Sequence, residues 1–445
     1  MFPVFFVAAI FENLIRIIQN KNSLRVNETI GSLSQGIFQE CLRIKVRSIE
    51  VLVYCLVWNN FRLANLPWNS LWTWWFCYLA VDIGFYWAHR LAHEVNFIWA
   101  IHQAHHSSEE FSIVSALRQA VLQPFTAWFT YVPLALFVPP QVFLAHLQLS
   151  ELYMAWLHTE VVDTIGPLEF LLNTPSHHRV HHSRNPEYID KNYGGMLIIW
   201  DRLFGTFKAE DKSNPPVYGL VHQVQSFNPI YVQFHPWPII WRRFKRATGF
   251  RNKLGVLVNV PGWRPGLNRL GNPEDLPKIV RPINCYDPKI KFWQNAYVVI
   301  HFALLLFFYH ELTLHQDHFS PAIINLGVVG LLSSITTLGL ILDNRRKFGD
   351  CYELIRCLLF FKCRSYIVPI VMHGLERSGL DLSSRMYFIF AIYALFAVSI
   401  GLITINIMSK LTADYAGLIR MDLKFYLKTK EQYFRSASED RNKAI

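Results

Sequence analysis

Cysteine and charge are both scarce in this sequence of 445 residues. The seven cysteines form no C-x-x-C pair, which leaves zinc-finger and iron–sulfur sites without ligands, and their odd number does not suit a disulfide scaffold. Charged residues make up 17%, against roughly 25% in soluble domains. Aromatic residues reach 15%, which excludes an intrinsically disordered chain. The remaining class is a protein with several membrane spans.

The charge that is present is mostly positive. Lys and Arg number 43 against 32 Asp and Glu, so the formal net charge is +11. Either nucleic-acid binding or basic cytosolic loops beside anionic lipid would explain this excess. The mean hydropathy of +0.19 and the long apolar windows favour the loops, and we predict a bilayer partner and no nucleic acid.

Seven windows of about 20 mostly apolar residues predict membrane spans. They are Trp68–Ala88, Ser115–Phe137, Gln141–His158, Trp293–Tyr309, Pro321–Leu342, Tyr352–Met372 and Met386–Met408. Charged residues interrupt two further windows, Phe2–Ile18 and Ile44–Trp58, and each of these fits either a span or an interfacial or partly buried helix. The predicted fold class is all-α: a multi-span integral membrane helical bundle.

One long polar stretch, residues 159–292, separates the early windows from the late ones. It is rich in Lys and Arg, so the positive-inside tendency predicts that it is cytosolic. Within it, Trp241–Leu254 alternates basic and apolar residues. This pattern is typical of a segment on an anionic membrane surface, with a solvated loop as the alternative.

Histidine is concentrated in three local patterns. Eleven of the 18 histidines fall between His89 and His182. One H-x-x-x-H and two H-x-x-H-H patterns are formed by His89 and His93, by His102, His105 and His106, and by His178, His181 and His182. Residues three and four apart share a helix face, so each pattern presents imidazoles together. Eight imidazoles are too many for one ion but suit two, and imidazole favours Fe, Zn, Cu or Ni.

The order of the windows predicts that the three patterns converge. The first two follow the window that ends at Ala88, and the third follows a stretch of ~40 residues that is long enough for two spans. Pro139-Pro140 breaks that stretch in its middle. An out-and-back hairpin would return the chain to the same side. We therefore expect all eight histidines at the cytosolic membrane face, as a dimetal site.

Four neighbouring residues have open roles. His158 is either a ninth ligand or a hydrogen-bond donor to the site, whereas His146 is interpreted as a packing residue. Asp82, two turns before His89, is a tentative catalytic residue that would orient a ligand histidine; helix packing is the alternative. Glu94 directly follows the first pattern, and it could be a base at the metals, a cofactor contact or a solvated side chain.

In this order the three patterns resemble the fatty acid hydroxylase / sterol desaturase superfamily of membrane diiron enzymes. Two stretches around the third pattern, Asn173–His182 and Asn192–Phe207, strengthen the match. Further stretches resemble the branch of that superfamily that oxidises ether lipids. They are Ala88–Asn96, His102–Glu109, Ala116–Gln119, Pro133–Phe137, His158–Glu160 and the hydrophobic region after residue 290.

The resemblance implies a monooxygenase of the endoplasmic reticulum that uses O2, two iron ions and tetrahydrobiopterin. The eight matching histidines would hold the irons, and Glu94 is a tentative pterin contact. The substrate would be an alkylglycerol or a lyso ether phospholipid, hydroxylated at the ether-linked carbon. The resulting hemiacetal would break down to a fatty aldehyde and a glycerol derivative.

Two other functions are considered. The first is a sterol or fatty acyl hydroxylase or desaturase that has the same metal site and a b-type cytochrome donor. The second is a divalent-metal transporter, which would carry ionisable residues midway through its spans, whereas these histidines lie at span ends.

Four regions are predicted along the chain. They are an N-terminal membrane region (1–66), a histidine-motif hydroxylase core with a cytosolic cap (67–290), C-terminal membrane helices (291–408) and a cytosolic tail (409–445). Arg441 and Lys443 in the tail are similar to a dibasic retrieval signal, with an ordinary polar tail as the alternative.

Overall fold

A computed structural model describes residues 2–46, 48–377 and 379–442. Within these ranges the chain is mostly helical and forms no named β-strand, in agreement with the predicted class. Two isolated antiparallel bridges occur, Leu172 with Leu197 and Ser183 with Tyr218. The chain divides into two compact units, Met1–Asn344 and Arg345–Ile445.

The first unit contains fourteen α-helices in its described residues. They are α1 (Phe2–Ile18), α2 (Val26–Val46), α3 (Ser48–Phe61), α4 (Leu71–Glu94), α5 (Asn96–His102), α6 (Pro124–Tyr131), α7 (Pro140–Trp156), α8 (Pro175–His181), α9 (Ile199–Leu203), α10 (Pro229–Phe234), α11 (Pro236–Arg246), α12 (Phe250–Val258), α13 (Phe292–Leu314) and α14 (Pro321–Leu342). Short 3-10 helices lie at His105–Ser107, Ser115–Leu117, Val132–Leu136, Gly166–Phe170, Pro273–Asp275 and Gln316–His318. The second unit contains α15 (Arg346–Lys362), α16 (Arg364–Arg377) and α17 (Leu382–Asn442).

An apolar bundle of α3, α4, α6 and α7 supports the histidine-bearing end of α4. The rings of Tyr54 and Phe143 stack with centroids 4.1 Å apart, and Cys77 and Val81 of α4 are buried in the same cluster. Burial of such side chains is the main stabilising contribution to a packed core. The bundle therefore holds the 24-residue helix α4 in place and, with it, the histidines of its last turns.

The predicted hairpin turns at Pro139-Pro140, but its first arm is not the single long helix that the apolar window indicated. Ser115–Leu117 form a 3-10 helix, residues 118–123 form a loop, and the rest of the arm consists of the short helices Pro124–Tyr131 and Val132–Leu136. Prolines at the starts of these pieces prevent one continuous helix. The tip lies beside the residues that precede α4, since the Leu63 N–H donates to the Leu136 carbonyl at 2.8 Å.

The two interrupted N-terminal windows are anchored by polar contacts. In α1, Glu12 and Arg16 are buried; Glu12 accepts the Thr159 hydroxyl at 2.6 Å, and Arg16 pairs with Glu160 at 2.9 Å. These charges face protein, which favours the partly buried interpretation of Phe2–Ile18. The second window, Ile44–Trp58, is divided between α2 and α3.

Three helices in the described residues are long and apolar enough to cross a membrane: Phe292–Leu314, Pro321–Leu342 and Leu382–Ala413. They contain three of the predicted windows, and Pro321–Leu342 has the predicted bounds. The Tyr352–Met372 window is instead divided between α15 and α16, which are separated at Cys363. The windows before residue 159 contribute α4 and α7, which pack in the apolar bundle.

Within the first unit, the end of α14 is hydrogen-bonded to the segment that precedes α10. The carboxylate of Asp343 accepts the Ser226 hydroxyl at 2.5 Å and the Phe227 N–H at 2.6 Å. At Gly339 an added Cβ would lie 2.5 Å from the Phe227 carbonyl oxygen, so only glycine allows this approach.

The last helix, α17, continues to Asn442 and thus runs through most of the segment predicted as a tail. Residues 443–445 lie outside the described residues, and these include Lys443 of the possible retrieval signal.

Candidate metal centre

Nine buried histidines form two groups. Within each group, the candidate ligand atoms lie within 4.8 Å of one another. The first group is His89, His93, His102, His106 and His181, and the second is His105, His158, His178 and His182. All eight histidines of the three patterns are therefore brought together, and His158 joins them.

The helical spacing explains how the patterns are divided. Each i,i+4 pair stays within one group, because residues one turn apart share a helix face. The middle histidine of each H-x-x-H-H pattern is rotated by roughly 100° from the last one and belongs to the other group. Thus His105 belongs to the second group although His102 and His106 belong to the first. His181 belongs to the first group although His178 and His182 belong to the second.

Main-chain and side-chain acceptors orient several of the rings. Nδ1 of His89 lies 3.0 Å from the Tyr193 carbonyl, and Nδ1 of His181 lies 2.9 Å from the Lys191 carbonyl. Nδ1 of His105 lies 3.0 Å from the Arg118 carbonyl. These contacts require the Nδ1–H tautomer, which leaves the Nε2 lone pair of each ring for a metal ion.

The Nε2 atoms face one another across each group. In the second group, Nε2 of His158 lies 3.4 Å from that of His105 and 3.1 Å from that of His178. In the first group, the Nε2 atoms of His93 and His181 are buried and have no hydrogen-bond partner in the described part of the chain. A buried unpaired polar atom costs about 1–3 kcal/mol, and a cation among these lone pairs would remove that cost. The residues present therefore fit two metal ions with all-imidazole ligands.

Burial keeps these imidazoles in the neutral form that binds metal. Loss of solvent lowers the pKa of His105 to about 4. It also lowers the pKa values of His102 and His182 well below the ordinary value, and neighbouring imidazoles add to the effect. A neutral ring does not have to lose a proton at neutral pH before it binds a cation.

Asp82 is buried and receives three hydrogen bonds, two from the loop before α9 and one from α9 itself. The N–H groups of Met196 and Leu197 donate to its carboxylate at 2.7 and 3.1 Å, and the Trp200 indole donates at 2.8 Å. The same loop supplies the Tyr193 carbonyl that accepts from His89. Asp82 therefore fixes the loop that orients a histidine, while its direct role in the reaction stays a prediction.

Glu94 is held between two guanidinium groups. Its carboxylate accepts hydrogen bonds from Nε of Arg90 at 2.8 Å and Nη2 of Arg269 at 2.5 Å, and the residue is only 7% exposed. Both oxygens thus have cationic partners. Its possible roles as a base or a cofactor contact stay predictions.

Two other histidines of the cluster lie outside both groups. His146 packs against Trp74 and Tyr78, with ring centroids 5.2 and 6.0 Å away. His177 makes an edge-to-face contact with Phe207 at 5.3 Å.

Several partners of the candidate ligands were not found by sequence reasoning. Gln123 Oε1 lies 3.1 Å from Nδ1 of His102, and an Asp190 carboxylate oxygen lies 3.4 Å from Nδ1 of His93. Tyr193 is fully buried against the rings of the first group, and its hydroxyl has no hydrogen-bond partner among the described residues. Two of the quoted stretches contain partners of the ligands: Asn192–Phe207 includes Tyr193, and Ala116–Gln119 includes Arg118.

Comparison with known proteins identifies two family models along the chain. The "Fatty acid hydroxylase" model matches residues 74–206, which include all nine histidines. The "Alkylglycerol monooxygenase C-terminal domain" model matches residues 294–373. No solved structure matches the chain.

Three similar proteins carry the name alkylglycerol monooxygenase. The protein of Xenopus tropicalis is 46% identical over 362 residues, 81% of this chain and 80% of that protein. The protein of Danio rerio is 46% identical over 350 residues, with 78% of each chain covered. The protein of Homo sapiens is 44% identical over 344 residues, with 77% of each chain covered.

Proposed function

The chain belongs to the alkylglycerol monooxygenase family, and from this premise we propose that it is a tetrahydrobiopterin-dependent diiron enzyme acting on ether lipids. Family membership makes it an oxidoreductase of the monooxygenase class. The observation that carries the finer proposal is the pair of all-imidazole groups, since hydrolytic dimetal sites usually include bridging carboxylates and neither group contains one.

We assign the first iron to His89, His93, His102, His106 and His181 and the second to His105, His158, His178 and His182. Iron held there would supply activation of dioxygen, with a reduced pterin as the electron donor. The chain's own contribution is orientation: the carbonyls of Tyr193, Arg118 and Lys191 fix ring tautomers before any ion binds. Glu94, which follows His93 at the end of α4, stays our candidate pterin contact.

The ether-linked carbon is the proposed site of hydroxylation. The adjacent ether oxygen stabilises a carbon radical, so the C–H bonds at this carbon are weaker than those of interior methylenes. One oxygen atom of O2 would enter the C–H bond and the other would leave as water, with two electrons and two protons from the tetrahydropterin, which becomes a dihydropterin. The hydroxyl proton of the hemiacetal then moves to the glycerol oxygen as the C–O bond breaks, which gives aldehyde and free glycerol hydroxyl.

The substrate should therefore be an alkylglycerol and not the matching acylglycerol, whose carbonyl carbon has no C–H bond. Purified enzyme with iron, O2 and tetrahydrobiopterin is expected to release fatty aldehyde from the ether at least about a hundredfold faster than it oxidises the ester. Aldehyde is measured by chromatography, and label from 18O2 should enter it. Oxidation of a sterol or acyl chain with a cytochrome donor, without aldehyde from the ether, would contradict the proposal and support the alternative.

We propose that the enzyme lies in the endoplasmic reticulum membrane with its histidines on the cytosolic side. We also propose four regions: an N-terminal membrane region (1–66), a hydroxylase core with a cytosolic cap (67–290), C-terminal membrane helices (291–408) and a cytosolic tail (409–445). The three candidate spans support the membrane location, and the basic stretch after Thr159 supports the cytosolic side through the positive-inside tendency.

Glycosylation mapping tests the orientation. An acceptor on a flexible linker inserted at Pro140 is expected to be modified in the lumen, whereas one inserted at Asn185 is expected to stay unmodified. A gel shift that endoglycosidase removes is the measurement. Modification at position 185 without modification at position 140 would contradict the cytosolic location of the histidines.

A further inference from the structure

The two helices α11 and α12, which we call the basic hairpin, belong to a segment without acidic residues. Residues 212–273 contain no Asp or Glu and nine Lys and Arg. Six of these basic residues lie between positions 242 and 253. The hairpin therefore carries a strong positive charge that its own segment does not neutralise.

The apolar face of α12 points away from the protein. Phe250, Leu254 and Val258 recur at every fourth position, and they are 79%, 44% and 41% exposed. The opposite face is the packed one, because Gly255 meets the Trp263 ring so closely that an added Cβ would lie 2.6 Å from it. A helix of a soluble domain buries its apolar stripe, whereas this one presents it outward.

Helix α11 adds exposed apolar and basic side chains to the same hairpin. Ile239 and Trp241 are 46% and 56% exposed, while Ile240 is buried against α12 and α5. Arg242, Lys245 and Arg246 are exposed beside them. The Lys245 ammonium lies 5.0 Å from the centroid of the Trp241 ring, which is a cation–π contact. Both side chains are exposed.

We propose that the basic hairpin docks on an anionic lipid surface. Its apolar side chains enter the boundary between headgroups and acyl chains, and its Lys and Arg side chains contact the anionic headgroups. Charge complementarity requires an anionic occupant. The exposed apolar stripe selects a lipid surface over nucleic acid or a soluble anion, because those occupants would leave Phe250 and Leu254 in water.

The hairpin is also attached to the candidate metal centre. The Asn96 side-chain amide donates to the Val256 carbonyl at 2.8 Å, and the Asn96 N–H donates to the Asn259 carbonyl at 2.9 Å. Asn96 begins α5, and His102 ends it. Lipid binding at α12 would therefore set the position of the histidine-bearing helices relative to the membrane surface.

Amide hydrogen exchange of the full-length enzyme in lipid nanodiscs tests this proposal. Peptides covering residues 239–258 are expected to exchange at least about threefold more slowly in phosphatidylcholine discs that contain phosphatidylserine than in pure phosphatidylcholine discs. High salt should remove the difference, since it screens exposed charges. This comparison uses the unaltered protein, so it does not depend on the folding of a variant or on iron.

Two matched triple variants separate the hairpin from general positive charge. Arg242→Gln/Lys245→Gln/Arg246→Gln should lose the lipid-dependent protection, because each basic residue near an anionic surface strengthens binding by roughly fivefold. Lys208→Gln/Lys212→Gln/Lys278→Gln removes the same charge elsewhere and should keep it. Equal exchange of the hairpin in both kinds of disc, or equal loss in both variants, would overturn the proposal.

Discussion

Replacing His181 or His105 by alanine is expected to abolish monooxygenase activity and to remove about one of two bound irons. Each variant deletes one imidazole from a different group, His181 from the first and His105 from the second. Loss of a mere hydrogen-bond partner of a ligand typically costs about 10–100-fold in metal affinity or activity, and loss of a ligand should cost more. Iron content of the purified protein and aldehyde release from alkylglycerol are the measurements.

His177→Ala is the matched control for both substitutions. His177 directly precedes His178 in the sequence and is also buried. Its ring contacts Phe207, and it belongs to neither group. This variant should keep both irons and most of the activity. Full iron and full activity in His105→Ala or His181→Ala would show that the assignment of ligands is wrong.

The histidine cluster could be predicted because its information is local. The spacing of His89 and His93, and of His178 and His182, places each pair on one helix face whatever the rest of the chain does. The breaks between apolar windows then predicted that the patterns meet, and the structure brings them together. The spacing predicted a dimetal site but not which histidine belongs to which ion, and the structure places the middle histidine of each H-x-x-H-H pattern in the other group.

Other features depended on contacts between distant residues, which a single sequence does not reveal. The Ser115–Phe137 window is apolar enough for a span, yet residues 115–123 supply the acceptors for His102 and His105 and so remain near the metal centre. The position of Asp82 two turns before His89 is compatible with orienting a ligand histidine or with helix packing, and its hydrogen bonds go to the N–H groups of Met196 and Leu197 and to the Trp200 indole. In both cases contacts with residues distant in the sequence determine the position or the hydrogen-bond partners, which the local sequence pattern does not specify.

The buried ion pair of Arg118 and Glu28 is the clearest such contact. Arg118 is 3% exposed and Glu28 is 5% exposed, and their side chains meet at 2.8 Å. Arg118 also donates to the Ser32 hydroxyl at 3.1 Å, while the Ser108 hydroxyl donates to Glu28 at 2.7 Å. Helix α2 is thereby joined to the loop whose Arg118 carbonyl orients His105.

Arg118→Ala is expected to lower the free energy of unfolding by about 3–5 kcal/mol, because it leaves the Glu28 carboxylate buried without its cation. Arg43→Ala is the matched control on α2: its pair with Glu40 is partly exposed, so the cost should stay within about 1 kcal/mol. Thermal unfolding in detergent measures both variants. The double variant Arg118→Met/Glu28→Gln should recover part of the loss, since it removes both charges.

Iron binding shows whether this ion pair also serves the metal centre. Because the Arg118 carbonyl accepts from Nδ1 of His105, displacement of its loop in Arg118→Ala should weaken iron binding by roughly tenfold or more, as loss of a ligand's partner does elsewhere. Arg43→Ala should leave iron affinity unchanged. Unchanged unfolding together with unchanged iron affinity in Arg118→Ala would show that α2 and the Arg118 loop are independent of the metal centre.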